Sequence, residues 1–544
     1  MNYKINLKKQ HGWKKHQIAE NDFFYKGYLN NKKFLNVFQY ILKNSNDKKK
    51  MKNFLFKLDG LFAIALKNKK SIFLITDRIN STPFIYKLNF KKTTISVSDH
   101  YLGLNLSNNE DLTVDQFQSK HFAMTGYTFL NGTIYKEVKK TSTGNFINIK
   151  NNKIDINKYY SWEPYKKKRK ERISEVKINI RNLNLKIIDK LLSTIDNRTI
   201  VIPLSAGFDS RFILSGLIHR GYKNIISFSY GRNLNREMTI AKEIAKKLNV
   251  PWYPIIYNNL IVRESFNTQK YINFLQYSDN LSALYFMQDF LALEYLQRKR
   301  LIPKNSIIVN GQTGDFISGN HLINSNKNKK NEDSIKNFIN KHYKNWHKLK
   351  IENFSLIKSV LEKEFNTLGI KNNTSNKLEF LEFIEFENRQ SKYIMNGQRT
   401  YDFLGYSWRL PLWDKDYLDF WEKLDIKYKK NQWLYKETLI EQNWGNVWQD
   451  IEINPRPDSM YSKNIKIIRF FFKAIFFPFG REHWHSFEKK FFDYFLSNLC
   501  SYAPFKYINI IKDKRGFSSP ISWHVESYLN KKNLDWKGNP DDKK

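Results

Sequence analysis

The chain has 544 residues, enough for two or three domains with their own cores, and its 41% hydrophobic content is that of a globular protein. Lys+Arg number 92 against Asp+Glu 52, a formal net charge of +40; this admits a nucleic acid or an anionic membrane as partner, but the lysines are spread along the whole chain without a basic tail, so compositional bias is the simpler reading and no specific nucleic acid is expected. The single cysteine, Cys500, excludes an intrachain disulfide and a cysteine-rich zinc site and fits a cytoplasmic protein, MNYKINLKKQHGWKKH lacks the apolar core of a signal peptide, and no run reaches the ~18 apolar residues of a spanning helix.

Residues 1–50 are polar and weakly patterned. From Phe54 the text turns to strands: LDGLFAIAL, a turn at KNKK and SIFLIT predict a hairpin, and TTISVS and GNFINIKNNKIDI predict further strands, so the chain reads mostly β to about residue 160. EPYKKKRKER is a solvated linker or a helix start. A long amphipathic helix follows, carrying Ile178, Ile180, Leu183, Leu185, Ile187, Ile188, Leu191 and Leu192. Strands at Val201–Leu204, Ile225–Tyr230, Trp252–Tyr257 and Ser306–Val309 then alternate with helices that include Phe212–His219 and Arg236–Leu248, the pattern of a parallel sheet. Residues 330–544 read mostly helical and aromatic. The predicted architecture is a mostly β, α+β N-terminal domain at 1–160, then an α/β parallel-sheet domain at 170–544 whose C-terminal part is largely helical.

VIPLSAGFDSR, at 201–211, is the most informative stretch. A buried strand ends in small and polar residues and runs straight into a helix. At the carboxyl end of a parallel strand, such a loop brings backbone N–H groups and a helix dipole to an anion. Ser205 and Ser210 can donate to phosphate, whereas Asp209 would repel it unless a magnesium ion bridges the two. No Walker-type phosphate loop occurs.

Ser205-Ala206-Gly207-Phe208-Asp209-Ser210 resembles the pyrophosphate loop S-G-G-x-D-S of the ATP pyrophosphatases, with Ala206 in place of the first glycine. VNGQTGDFISG (309–319), WRLPLWDKDYLDF (408–420) and KDKRGFSSPISWHV (512–525) resemble, in order, the G-E-G-x-D-E-x-x-G, E-x-R-x-P-F-L-D and R-x-K-x-G-F-x-x-P segments of the asparagine synthetase family. Upstream, LDGLFAIAL and TDRINSTPFIYK resemble two segments of that family's glutaminase domain. The resemblance spans about residues 24 to 530.

The resemblance implies an AMP-forming carbon–nitrogen ligase that uses ATP and Mg2+. A carboxylate becomes an acyl-adenylate, then ammonia or an amine forms the amide. It implies that residues 205–210 with Gly311 hold pyrophosphate, that Asp209 and Asp315 hold magnesium, and that Lys514, Gln312 and Arg409 act in catalysis. Gln312 and Ser407 stand where the family carries glutamates; Glu385 and Glu387 could compensate. The family's glutaminase nucleophile is an N-terminal cysteine. Here the second residue is Asn2, and the early H-R-G-P-D stretch is not visible. The N-terminal domain therefore reads as truncated and inactive on glutamine, with nitrogen coming from free ammonia, a separate glutaminase or a substrate amine. The tryptophan- and arginine-bearing 408–414 segment is similar to divergent members that act on sugar carboxylates of surface polysaccharides. An intramolecular ligase like β-lactam synthetase, a transfer-RNA-modifying enzyme and a non-catalytic scaffold are the alternatives. IKIIRFFFKAIFFPFG (465–480) fits either a core helix with a basic edge or a peripheral membrane-surface helix, and the core reading is preferred. His483 and His485 lack a third metal ligand and read as structural.

Overall fold

The computed structural model describes residues 2–536 apart from 31, 90–93, 107–111, 151–152, 167–170, 234, 286–288, 323–333, 370–373, 456–462 and 535. Part of the EPYKKKRKER run lies outside the described residues.

Among the described residues, ten strands precede residue 160: β1 (Asn2–Asn6), β2 (Lys14–Ile18), β3 (Asn21–Leu29), β4 (Gly60–Lys67), β5 (Ser71–Thr76), β6 (Ile85–Asn89), β7 (Thr94–Ser98), β8 (Val138–Lys140), β9 (Asn145–Lys150) and β10 (Lys153–Lys158). They form a four-stranded sheet, β1-β7-β6-β8, and a six-stranded sheet, β10-β9-β5-β4-β3-β2. Alternation along β4 explains the layering. Ala63 and Ala65 face Tyr86, Ile95 and Val97 of the smaller sheet, while Phe62, Ile64 and Leu66 join Val37, Phe38 and Ile41 of helix Phe34–Asn44 on the other side. The hairpin β4–β5 forms as predicted, and the strands expected in GNFINIKNNKIDI are β9 and β10, which pair antiparallel.

Residues 1–50, polar and weakly patterned as sequence, nevertheless hold three strands and a helix. Two of these strands, β1 and β2, lie at the edges of their sheets, where few side chains need to be apolar; β2 exposes four of its five residues. Two motifs elsewhere in the β-rich region have packing reasons. Gly60, at φ +135°, has Tyr28 O where a Cβ would sit only 2.3 Å away. Asp77 accepts N–H bonds from Phe62 (2.8 Å), Ile79 (3.0 Å) and Ser81 (3.1 Å), which fixes the turn after β5.

A third sheet holds β11 (Ile200–Pro203), β12 (Ile225–Arg232), β13 (Trp252–Tyr257), β14 (Ile307–Val309) and β15 (Ser407–Arg409), ordered β13-β12-β11-β14-β15 and parallel throughout. The first four are the strands expected from the sequence. β15 is not, because three residues with one charge carry no strand pattern. Ile200, Val201, Ile202, Ile307, Ile308 and Val309 are fully buried, as central parallel strands covered on both faces must be. Helix Ile173–Leu192 buries Ile180, Ile187, Ile188 and Leu191 against this core but leaves Ile178 exposed. The chain is thus β-rich at its N-terminal end, parallel-sheeted in the middle and mostly helical beyond it.

Candidate functional site

The parallel sheet fixes where a ligand can sit. The chain winds outward from β11 through β12 to β13, then returns to the other side of β11 for β14 and β15. The order reverses between β11 and β14, and the loops leaving their carboxyl ends diverge there to open a crevice. Ser205–Ser210 leaves one strand and Asn310–Asp315 the other.

Helix Phe208–His219 starts four residues earlier than its apolar pattern suggests, so Asp209 and Ser210 lie in its first turn behind Gly207 as N-cap. The N-terminal N–H groups of this helix point into the crevice. The serines shape the loop. Ser205 N–H donates to Ser210 Oγ at 3.0 Å, Gly207 N–H donates to Ser205 Oγ at 3.2 Å, and the two hydroxyls are 3.0 Å apart. Ala206 does not adopt a positive φ, so a Cβ is tolerated where the related motif has glycine. Its carbonyl faces inward, accepting from Arg211 Nη2 at 3.1 Å and from Asn454 N–H at 3.2 Å. Phe208 packs its ring beside Tyr435 and Trp448.

Asp209 and Asp315 meet across the two strand ends. Asp209 Oδ2 accepts the Asp315 N–H at 3.1 Å, and Oδ1 accepts the Tyr435 hydroxyl at 2.8 Å. Two glycines permit this approach: a Cβ on Gly314 would lie 2.4 Å from Asp209 Oδ1, and one on Gly311 2.8 Å from Asp209 Cβ. Burial, then the charge of Asp315, push the Asp209 carboxyl up to about 8. A buried carboxylate beside a second one is stabilised by a cation, and two carboxylates plus phosphate oxygens and water are a typical magnesium donor set. The residues present therefore fit Mg2+ and a pyrophosphate group.

Asp315 also lines a cavity of about 370 Å³ whose wall includes His342, Glu385, Arg389, Gln390 and Ser518. Residues Glu385–Ile394 form a π-helix, whose wider turn sets side chains five apart above one another. Glu385 accordingly accepts from both Arg389 Nη1 (2.9 Å) and Gln390 Nε2 (3.0 Å). Gln390 Oε1 in turn lies 3.0 Å from the Thr313 hydroxyl, itself 3.0 Å from Asp315 Oδ1. A hydrogen-bonded row thus connects the cavity wall to the carboxylate pair. Burial would raise the Glu385 pKa, but His342 at 3.1 Å and Arg389 hold it down at about 2. Burial depresses the His342 ring to about 4. With Glu385 paired to the Arg389 guanidinium, Lys341 and Lys344 leave the cavity wall suited to an anion.

The other predicted residues are dispersed. Gln312 donates its N–H to Asn310 Oδ1 at 2.8 Å, and its Oε1 accepts from Gln398 Nε2 at 2.6 Å, so it is held at the rear of the 310–315 loop. Lys514 is exposed and lines a separate open groove of about 830 Å³ with Lys512, Arg515 and Lys531; Ser518, four residues on, reaches the Asp315 cavity instead. Arg409 points away from the crevice. Its Nε and Nη2 donate to Thr194 Oγ1 (2.9 Å) and Thr194 O (2.7 Å), and its guanidinium lies 4.2 Å from the Tyr28 ring centre. An Arg409→Met variant is expected to lose about 1–3 kcal/mol of stability, seen as an earlier urea transition, with turnover per folded molecule unchanged; a selective loss of turnover would return Arg409 to the chemistry. Glu387 accepts from Thr143 Oγ1 and Lys158 Nζ, both at 2.6 Å, and so ties the β-rich region to the π-helix. Ser407 is exposed at the start of β15.

Among the described residues, the one group of three or more carboxylate, histidine or cysteine ligands within metal-binding reach is Asp59, Asp414 and Asp416. The Lys190 ammonium occupies its centre, 2.7, 2.9 and 2.8 Å from the three. The last acid of the WRLPLWD stretch is therefore an ionic staple between β4, helix Ile173–Leu192 and the segment after β15. Sequence reasoning missed Arg389, Gln390 and His342. Glu385, Arg389 and Gln390 sit at i, i+4 and i+5; any α-helix aligns the first two, and only a π-turn brings the third beside them.

A family model described as a glutamine amidotransferase domain matches residues 46–160. No curated protein matches the chain. Among solved structures, a glutamine phosphoribosylpyrophosphate amidotransferase from B. subtilis complexed with ADP and GMP is 9% identical, over 45% of this chain and 72% of that one, with a TM-score of 0.18. The structure of an allosteric regulatory enzyme of purine biosynthesis is 10% identical, over 44% and 61%, with a TM-score of 0.17. Residues 46–160 are thus similar to a glutamine amidotransferase domain, a class of domain that works in amide-nitrogen transfer, and they adjoin the parallel sheet that brings Asp209 to Asp315.

Proposed function

We propose that this chain is an ATP-dependent, AMP-forming carbon–nitrogen ligase of the asparagine synthetase type. The observation that carries the reading is the meeting of Asp209 and Asp315 beside the Ser205–Ser210 loop at the reversal point of the sheet. In this reading the loop N–H groups, the two serine hydroxyls and the helix N-terminus bind the β- and γ-phosphates. Asp209 and Asp315 hold Mg2+, which supplies charge neutralisation to the pyrophosphate when bound. The substrate carboxylate lies in the cavity shared by Asp315, Arg389 and Lys341. Its oxygen attacks the α-phosphorus, the bond to pyrophosphate breaks, and the resulting acyl-adenylate loses AMP when the amine nitrogen forms the amide bond.

The nitrogen comes from ammonia, a separate glutaminase or a substrate amine. The sequence's single thiol, Cys500, is fully buried in the core around the parallel sheet and unable to reach glutamine. A sugar uronic acid fits a cavity of this size, lined by Lys341, Lys344 and Arg389, as well as aspartate does. The test is ATP–pyrophosphate exchange with magnesium and no amine, across aspartate, uronic acids and their nucleotide-linked forms. Exchange that needs both magnesium and one carboxylate is expected; exchange indifferent to the carboxylate would overturn the reading.

A further inference from the structure

The segment 465–480, for which the core reading was preferred, is largely exposed. Helix Lys463–Phe476, the Phe477–Phe479 turn and helix Arg481–Leu496 form a hairpin. Its inner side is well packed: Phe472 and Phe476 lie 5.2 and 4.5 Å from the Phe487 ring, Arg469 pairs with Glu488, and Trp484 is buried. The outer side is not covered. Ile467, Phe471 and Ile475 follow one another at i, i+4 and i+8, with Phe470 beside them 70% exposed and Phe477 at the tip 85% exposed. A soluble protein rarely presents so many large apolar groups together without a partner.

We propose that this hairpin is a docking surface for an anionic lipid bilayer, an inference independent of the ligase reading. Three observations select lipid over protein. The exposed patch is built of Phe and Ile, whereas protein interfaces favour Tyr, Trp and Arg and carry hydrogen bonds. From 463 to 481 the sequence has five cations, Lys463, Lys466, Arg469, Lys473 and Arg481, and no acid. Lys473 and Arg481 are exposed at the edge of the patch and at the tip, where headgroup phosphates would lie if the rings enter the acyl region. No described helix is long and apolar enough to cross a membrane, so the hairpin lies in the interface.

The full chain is to be sedimented with vesicles of phosphatidylcholine, alone or with about 30 mol% phosphatidylglycerol. Binding to the anionic vesicles, weakened by salt, is expected. Phe471→Ser, Phe477→Ser and Phe479→Ser combined should reduce the bound fraction about 10-fold or more. Lys473→Glu with Arg481→Glu should lower it to the level seen with phosphatidylcholine alone. All five side chains are exposed, so thermal unfolding should not shift. Vesicle binding unaffected by the serine substitutions overturns the proposal. So does a wild-type dimer that the same substitutions dissociate without any vesicle binding, which would make a second copy the occupant.

Discussion

Asp209→Asn is expected to lower carboxylate-dependent ATP–pyrophosphate exchange by about 10³-fold or more while the protein remains folded. Asparagine keeps the shape, and its Oδ1 can still accept the Tyr435 hydroxyl. What is lost is the negative charge that would hold magnesium against phosphate. Stability should move the other way in magnesium-free buffer. The native carboxyl binds its proton up to about 8, far above the ordinary carboxylate range, so the folded state holds more protons than the unfolded one between the two values. Wild-type stability therefore falls as pH rises through that window, and the asparagine variant lacks this fall. Urea midpoints at pH 5 and pH 7, each about a unit inside the edges of the window, read the difference directly. A variant that exchanges normally would remove Asp209 from the chemistry.

Arg211→Met is the second substitution with a large expected effect, on stability first and on nucleotide affinity as a consequence. Arg211 is fully buried and has no carboxylate within salt-bridge distance among the described residues. Its Nη1 donates to Val447 O (2.8 Å) and Ile451 O (3.0 Å), and its Nη2 to Ala206 O (3.1 Å) and Glu452 O (2.7 Å). The guanidinium is costly to bury, and its pKa is lowered to about 10 for that reason. Replacing a buried ion pair with apolar groups can be neutral, but here the partners are backbone carbonyls that stay behind without donors. Orphaned carbonyls dominate, and a loss of about 3–5 kcal/mol is expected. The 447–454 segment that backs the Ser205–Ser210 loop should detach with it, raising the ATP concentration needed for half-maximal exchange. A shifted urea midpoint with unchanged ATP dependence would show that this segment does not support the loop.

The π-helix shows where legibility ended within the site. Glu385 was visible as a candidate because any acid near the 408–414 stretch could replace a missing glutamate. Its partnership with Gln390 was not, since an α-helix places residues five apart on different faces, and only the wider turn lets Gln390 reach both Glu385 and Thr313. The Arg409 side chain lies apart from the crevice for a related reason. Its motif places its backbone, Arg409 O accepting from Asn310 N–H at 3.2 Å beside the crevice, but a long side chain goes where partners stand, and Thr194 and Tyr28 are far away in sequence.

By itself the sequence determined the elements whose periodicity is local: the β4–β5 hairpin, the parallel strands at 201, 225, 252 and 307, and the small-residue loop behind Asp209. Strand and helix patterns of that kind are set by which face of a short segment is buried, and a few residues record it. Only the tertiary structure decided the rest. It set the polar strands β1 and β2 at sheet edges, added the unpatterned β15, and filled the Asp59–Asp414–Asp416 cluster with Lys190. It also turned the aromatic 465–480 segment outward, because amphipathicity records that one face is apolar but not whether protein covers it.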